Sequence, residues 1–309
     1  MHILMIFLDG VGLGADDPIN NPFAAAHTLT LWKLASGQRW LAKTGRQMSE
    51  RALFIPTDPR MGVSGKPQSG TGQAAILTGK NIPQIIGEHY GPKPNKITRD
   101  ILADDNFFKQ VIAHGKTAAL LEAYPPPWHQ AIDRGKRLRS SYQLALHEAG
   151  LPTFGEQHIY AEEALSGDWT GEGWREHLGY TDTPVYSPQQ AGRKLVELSR
   201  RYDFAFHSHW FTDVIGHRGP LEDGIALLEL FDGVMAGVLD AWDDTEGLVI
   251  ITSDHGNFED LGSRHHTEND VPTVIIGDQK TAFADDFHTL ADLVPHMVRL
   301  LFTDRQATL

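Results

Sequence analysis

Aspartate and histidine gather in five short motifs of this 309-residue chain, and their side chains have the chemistry of a metal site. The motifs are Asp9-Gly10, Ser69-Gly70-Thr71-Gly72, Asp213-Val-Ile-Gly-His217, Asp254-His255-Gly256-Asn257 and His265-His266-Thr267. Carboxylate, imidazole and hydroxyl are the ligands expected for Zn²⁺, Mn²⁺ or Mg²⁺ in a site without sulfur. Asp213 and His217 are four apart, so a helix or tight turn puts both on one face, where they can hold one ion. Taken alone, such a pair is more often structural. Asp254 and His255 are adjacent and within a strand would point to opposite faces, so they converge only if the strand has already ended. Gly256 makes that bend available. Asp9 by itself reads as a turn cap as readily as a ligand. Thr71 lies between two glycines at a helix start. There the bare backbone N–H groups of Gly70 and Gly72 can cradle a phosphate, or Thr71 serves only as an N-cap.

Such side chains need strands and helices to bring them together. Residues 3–8 form a continuous apolar run ending at Asp9-Gly10, which suits a buried strand of a parallel sheet. Residues 248–252 run likewise into Ser253-Asp254-His255, and residues 271–276 and 204–207 also read as strands. Helices are expected over 23–34, 73–78, 189–200, 221–242 and 290–301, the fourth with Leu221, Ile225, Leu228, Met235, Leu239 and Trp242 near one stripe. This alternation predicts an α/β domain with a mostly parallel sheet sandwiched by helices. In such sheets ligands bind outside the carboxyl ends of strands, where four of the five motifs fall. Residues 91–186 differ in texture, with Pro125-Pro126-Pro127, Trp128, Trp169, Trp174 and a basic stretch around Arg134, Arg137 and Arg139. They read as an inserted cap or a set of excursions between two parts of one core, residues 1–90 and 187–309. Within them, residues 116–121 suit a strand and residues 140–149 a helix.

The composition narrows the partners. Cysteine is absent, which removes disulfides, thiolate zinc sites, iron–sulfur clusters and cysteine nucleophiles, and which fits a cytoplasmic protein. With 27 basic and 40 acidic residues the net charge is −13, against nucleic acid as a partner. No apolar run approaches the ~20 residues that span a membrane, and the N-terminal run lacks the basic start and small-residue cleavage site of a signal peptide.

Taken in order, the motifs resemble the alkaline phosphatase superfamily, and within it the branch of cofactor-independent phosphoglycerate mutases and phosphopentomutases. The resemblance covers about the first 90 and the last 120 residues, and is strongest over Thr252-Ser-Asp-His-Gly-Asn257, then His265-His266-Thr267 and Val271-Pro272. It implies an alkaline phosphatase-like fold and two divalent metal ions, Mn²⁺ or Zn²⁺, with Mg²⁺ as the alternative. One ion would be held by Asp9, Thr71, Asp254 and His255. The other would be held by Asp213, His217 and His266, His265 competing for the last place. It also implies Thr71 as the nucleophile, forming a phospho-Thr71 intermediate. The insertion is about half the size of the mutases' domain or less, and the mutases' substrate-holding residues have no match in it. The expected function is therefore hydrolysis of a small phosphate ester. Phosphodiesterase or nucleotide pyrophosphatase, phosphomutase, and a non-catalytic metal-binding module stand as alternatives.

Overall fold

The computed structural model describes residues 1–302. Seven strands form one sheet: β1 (His2–Leu8), β2 (Gln47–Met48), β3 (Ala52–Thr57), β4 (Ala118–Leu120), β5 (Phe204–His209), β6 (Gly247–Thr252) and β7 (Val271–Ile276). Their order is β2-β3-β7-β6-β1-β5-β4. The four strands β6, β1, β5 and β4 run parallel, while β7 is antiparallel to β6 and β3 to β7. The expected mostly parallel sheet with helices on both faces is what the chain builds.

The continuous apolar runs have a simple cause. Along β1, Leu4, Ile6 and Leu8 join the core on one face, and Ile3, Met5 and Phe7 join the core on the other. A strand covered on both sides cannot show the polar alternation of a half-exposed one. On the first face lie the helices Pro188–Ser199 and Leu221–Ala241, which pack against each other. On the second lie Ser69–Thr78, Lys96–Asp104, Phe107–Ala113, Ser141–Glu148 and Leu293–Phe302. Every residue of the helix Ser69–Thr78 is buried, so its small side chains follow no amphipathic stripe.

Of the two readings of residues 91–186, an inserted cap or a set of excursions, the first half of the segment is built as excursions from the core, with the expected strand and helix in place. Ala118–Leu120 pairs in parallel with β5 and extends the main sheet, and the helix Ser141–Glu148 packs on Ser69–Thr78. Backbone bridges from Glu122 to Leu165 and from Ala123 to Phe154 tie in the later part of this segment, with its short helices Glu156–Tyr160 and Glu172–Leu178, and Trp169 stacks on His209 and Phe231 of the core. The single helix expected over 23–34 is two, Pro22–Ala25 and Leu29–Leu34, broken at Ala26–Thr28. Strand β3 carries Pro56 beside a partner proline, Pro272, across an antiparallel register, and its pattern went unread. Among the described residues no helix is long and apolar enough to cross a membrane.

Candidate metal centre

Three parallel strands and one antiparallel strand deliver the cluster to a single edge of the sheet. Asp9 follows β1 directly, Asp254 and His255 follow β6 after one residue, and the helix Phe211–Arg218 begins just after β5. That helix puts Asp213 and His217 on one face, with His217 Nε2 at 3.5 Å from Asp213 Oδ1. Because β7 runs antiparallel to β6, the loop entering it lies at the same edge, and this loop carries His266. A bridge between Gly256 and Thr267 draws the two loops together and stacks the His255 and His266 rings with centroids 3.8 Å apart.

His255 Nε2 is 3.4 Å from Asp9 Oδ1 and 3.7 Å from Asp254 Oδ2. His266 Nε2 is 3.3 Å from His217 Nε2 and 3.7 Å from Asp213 Oδ1. The ligand atoms of Asp213, His217 and His266 lie within 4.8 Å of one another, and so do those of Asp9, Asp213 and His255. Asp213 thus belongs to both groups, whereas the sequence assigned it to one. His265 is exposed, and His266 takes the place they competed for.

The residues fit divalent cations on three counts. Asp9, Asp213 and Asp254 have ion-pair contacts only with histidines among the described residues. Burial, with the neighbouring carboxylates adding to it, raises the Asp9 pKa and pushes Asp254 up to about 8. Asp9 Oδ1 is buried with no hydrogen-bond partner. Third, each ring has its Nδ1 against a backbone carbonyl: His217 on Arg264 O at 3.2 Å, His266 on Pro67 O at 2.8 Å and His255 on Gly256 O at 3.3 Å. With Nδ1–H donating there, Nε2 of each ring faces the cluster, the position from which imidazole binds a metal. At His255 burial is outweighed by the Asp254 and Asp9 carboxylates, which push the pKa up to about 10, so Nε2 holds a proton that a bound cation would displace.

The hydroxyl in this cluster is Ser69, not Thr71. Ser69 Oγ is 3.0 Å from His255 Nε2 and lines the same cavity as Asp9 and Asp213. Thr71 is fully buried; its hydroxyl donates to Gln68 O at 3.1 Å and accepts from Tyr90 N at 3.3 Å. Two residues along a helix turn a side chain by about 200°, so Ser69 and Thr71 cannot both face the metals. Gln73, four after Ser69, does share its face and donates to Asp9 Oδ2 at 3.2 Å and Asp254 Oδ2 at 3.1 Å. That i, i+4 spacing was the available signal for Ser69. The flanking glycines are not an open cradle either. Gly72 N donates to Gln68 O, and a Cβ at Gly72 would stand 2.7 Å from Asp254 O. A Cβ at Gly70 would stand 2.6 Å from Tyr90 O. Both glycines let the helix approach its neighbours closely.

Glu259 also escaped the sequence reading. It is buried, and its Oε2 accepts from Gly12 N at 3.0 Å and Asn257 N at 2.8 Å. Its Oε1 accepts from Asn269 Nδ2 at 3.0 Å and from the Thr267 hydroxyl. One carboxylate therefore ties the loops that carry Asp9, His255 and His266. Asn257 in turn donates to Asp213 Oδ1 at 2.8 Å. A Cβ at Gly12 would stand 2.2 Å from Glu259 Oε1, so glycine is required for this approach.

Above the cluster is a cavity of about 610 Å³. Asp9, Ser69, Gln73 and Asp213 line it from the core, Lys93 and Arg137 supply cations, and Tyr124, Trp128, Trp174 and Phe211 contribute aromatic surface. Burial and nearby Arg137 lower the Lys93 pKa, while Asp9 opposes them. Arg134 and Arg139 are not among the lining residues.

Comparison with known proteins agrees with this chemistry. Residues 175–305 match the family described as the Metalloenzyme superfamily, a stretch that includes Asp213, His217, Asp254, His255 and His266. The chain is 33% identical over 111 residues to the 2,3-bisphosphoglycerate-independent phosphoglycerate mutase of Methylobacillus flagellatus, covering 34% of this chain and 22% of that protein. It is 31% identical over 137 residues to the enzyme of the same name from Pseudomonas aeruginosa, covering 41% and 26%. The match thus spans about a quarter of the length of these relatives. Over nearly its whole length the chain shares the fold of PH0037 from Pyrococcus horikoshii, at 17% identity, TM-score 0.58 and coverage of 99% and 98%. The C-terminal periplasmic domain of EcEptC from Escherichia coli, solved with Zn, is similar at 10% identity, TM-score 0.51 and coverage of 96% and 82%. The resemblance read from the motifs is borne out: the chain is similar to the Metalloenzyme superfamily over residues 175–305 and to the 2,3-bisphosphoglycerate-independent phosphoglycerate mutases.

Proposed function

We propose that this protein is a divalent-metal-dependent phosphoryl-transfer enzyme that hydrolyses phosphate monoesters through a phospho-Ser69 intermediate. The observation that carries this reading is the Ser69 hydroxyl, 3.0 Å from His255 Nε2 and open to the cavity. Asp9, Asp254 and His255 would hold one ion beside Ser69, and His217 and His266 the other, with Asp213 between. Divalent ions held there lower the pKa of the hydroxyl and offset the charge of the phosphoryl group.

The chain's own groups do the rest. Gln73 fixes two carboxylates at once through one amide nitrogen. Ser69 opens a ten-residue helix, whose N-terminal end favours an anion. Lys93 and Arg137 line the cavity and are placed to meet the phosphate. In the first step Ser69 Oγ bonds to phosphorus, the ester P–O bond breaks, and the alcohol leaves with a proton. In the second, water attacks the phosphoserine, Oγ leaves and regains a proton, and phosphate is released. Splitting the reaction in this way is the general advantage of a covalent nucleophile.

The test is turnover of p-nitrophenyl phosphate, and of bis(p-nitrophenyl) phosphate, with Mn²⁺ or Zn²⁺. Monoester turnover that Ser69→Ala abolishes supports the reading, as does acid-quench mass spectrometry finding phosphate on Ser69. Preference for the diester would move the protein to phosphodiesterase, and no turnover of either ester would end the hydrolase reading. The mutase names of its relatives favour a second reading, in which a substrate hydroxyl replaces water. Conversion of 3-phosphoglycerate without phosphate release would establish it. Correct placement of Ser69 argues against a metal-binding module without catalysis.

A further inference from the structure

The three-carbon acid handled by the proteins it resembles is small for this cavity. About 610 Å³ is in the range of pockets that enclose ligands far larger than a triose, and such pockets gain affinity by covering apolar wall. Here the wall away from the metals is aromatic. Tyr124 and Trp128 stack with centroids 4.2 Å apart, and Trp210 and Phe211 stack at 4.1 Å. All four line the cavity, with Trp174 and Leu178. Trp210 and Leu178 are exposed, at 40% and 46%, so the apolar surface continues to the mouth. A triose would leave most of it wet.

The same wall holds unsatisfied polar atoms. Trp128 Nε1 and Ser140 Oγ are buried without hydrogen-bond partners, Glu122 Oε1 has the neighbouring Tyr124 hydroxyl as its nearest donor without a well-formed bond, and all three residues line the cavity. Glu122 is 1% exposed and follows β4, at the sheet edge where Asp9 follows β1. Its other oxygen accepts from the Ser208 hydroxyl. No cation is paired with it among the described residues, and burial pushes its carboxyl up to about 7. A buried polar group without a partner is costly, and a ligand that supplied the partners would recover part of that cost.

From the aromatic wall and these three polar groups we infer that the substrate is the phosphate monoester of a bulky, ring-bearing alcohol, whose ring presents a hydrogen-bond donor to Glu122 and an acceptor to Trp128 Nε1. This rests on the monoester reading above and specifies its substrate class. Glu122 is the specificity-determining residue: it touches the organic part of the substrate and takes no part in the bond changes at phosphorus.

The experiment compares kcat/KM of the metal-loaded full chain on 2-naphthyl phosphate, a nucleoside 5′-monophosphate, ribose 5-phosphate, glycerol 3-phosphate and 3-phosphoglycerate. The ring esters are expected to exceed the two acyclic ones by at least about tenfold, the scale of losing one apolar pocket contact. Naphthyl phosphate separates an apolar ring requirement from a sugar-ring requirement. Equal or better turnover of glycerol 3-phosphate or 3-phosphoglycerate overturns the inference. If that turnover still depends on Ser69, the monoester reading survives its failure. Glu122→Gln is expected to raise KM severalfold more for the nucleoside monophosphate, which has ring donors, than for naphthyl phosphate, which has none, so that the ratio of the two KM values is the readout. An equal effect on both esters overturns the role of Glu122. Trp128→Phe keeps the stacked ring and removes only Nε1–H, and should raise KM for the nucleotide alone. Should Glu122→Gln fold poorly, the substrate ranking of the unaltered protein still decides.

Discussion

Ser69 Oγ stands 3.0 Å from His255 Nε2, although 186 residues separate the two along the chain. The contact sets the helix Ser69–Thr78 in register with the turn after β6, so that one face carries a hydroxyl, a glycine and a glutamine toward the carboxylates. The neighbouring hydroxyl, Thr71, is spent on backbone groups at Gln68 and Tyr90.

Ser69→Ala and Thr71→Val should therefore separate. Ser69→Ala is expected to reduce kcat on p-nitrophenyl phosphate by on the order of 10³ or more, as loss of a nucleophile does, with little change in thermal stability. Thr71→Val should keep most of the activity and lose about 1 kcal/mol of stability with its buried hydrogen bonds. Steady-state kinetics and denaturant titration measure the two effects. The reverse pattern would return the nucleophile to Thr71.

Metal should bind through His266 and not His265. Titration of metal-stripped protein with Mn²⁺ is expected to raise its melting temperature, since an ion at 100 times its Kd adds about 2.7 kcal/mol to the folded state. His265→Ala should retain this shift, because that side chain is exposed. His266→Ala should lose much of it, together with part of the metal content seen by elemental analysis.

Glu259 accepts four hydrogen bonds from three loops, so its removal should act on metals at a distance. Glu259→Ala is expected to destabilise the protein by about 2–4 kcal/mol, through loss of charge-assisted hydrogen bonds and orphaned donors. Isothermal titration should also show weaker Mn²⁺ binding, since Asp9, Asp213 and His266 lose their shared support. Glu259→Gln keeps one acceptor oxygen and should restore part of both. Unchanged metal affinity in a folded Glu259→Ala protein would show that the loops hold without it.

Gly72→Ala should cost both stability and activity. The added methyl would meet Asp254 O at 2.7 Å and Asp254 Cβ at 2.9 Å, and backbone cannot yield cheaply. Overpacking of this kind costs about 1–3 kcal/mol. Activity should fall further than stability alone explains, because the helix carrying Ser69 is pushed away from Asp254. Kinetics below the melting temperature check this.

Acid should unfold the protein partly through His207. Burial first, and His209 beside it, hold its pKa at about 3, against 6.5 in an unfolded chain. The unfolded state therefore binds a proton that the folded state refuses between these values. The stability from neutral His207 is complete above pH 6.5 and is lost as pH falls toward 3, by at most about 1.4 kcal/mol per pH unit. Denaturant titrations over this window should show a shallower slope for His207→Asn than for the unaltered chain.

By itself the sequence determined the features that depend on near neighbours. Apolar runs ending in Asp9 and in Ser253-Asp254-His255 placed these ligands at strand ends, and a spacing of four placed Asp213 and His217 on one helical face. Local periodicity is enough for both. It also supported the mostly parallel sheet, because strands alternating with helices leave few other arrangements. Tertiary structure decided that Ser69 and not the expected Thr71 faces the cluster, and that His266 rather than His265 does. Ser69 and Thr71 differ only in helical phase, and the phase is set by Tyr90 and Asp254, far away in sequence. His266 and His265 differ only in which way one loop faces, and that follows from β7 running antiparallel to β6. Asp213 belongs to both ligand groups, and Glu259 ties three loops, only because separate strands end side by side. Contacts of this range leave no period in the chain, and the 91–186 segment shows the same limit: its apolar run predicted the strand Ala118–Leu120, but only the fold shows that this strand pairs with β5 and extends the main sheet.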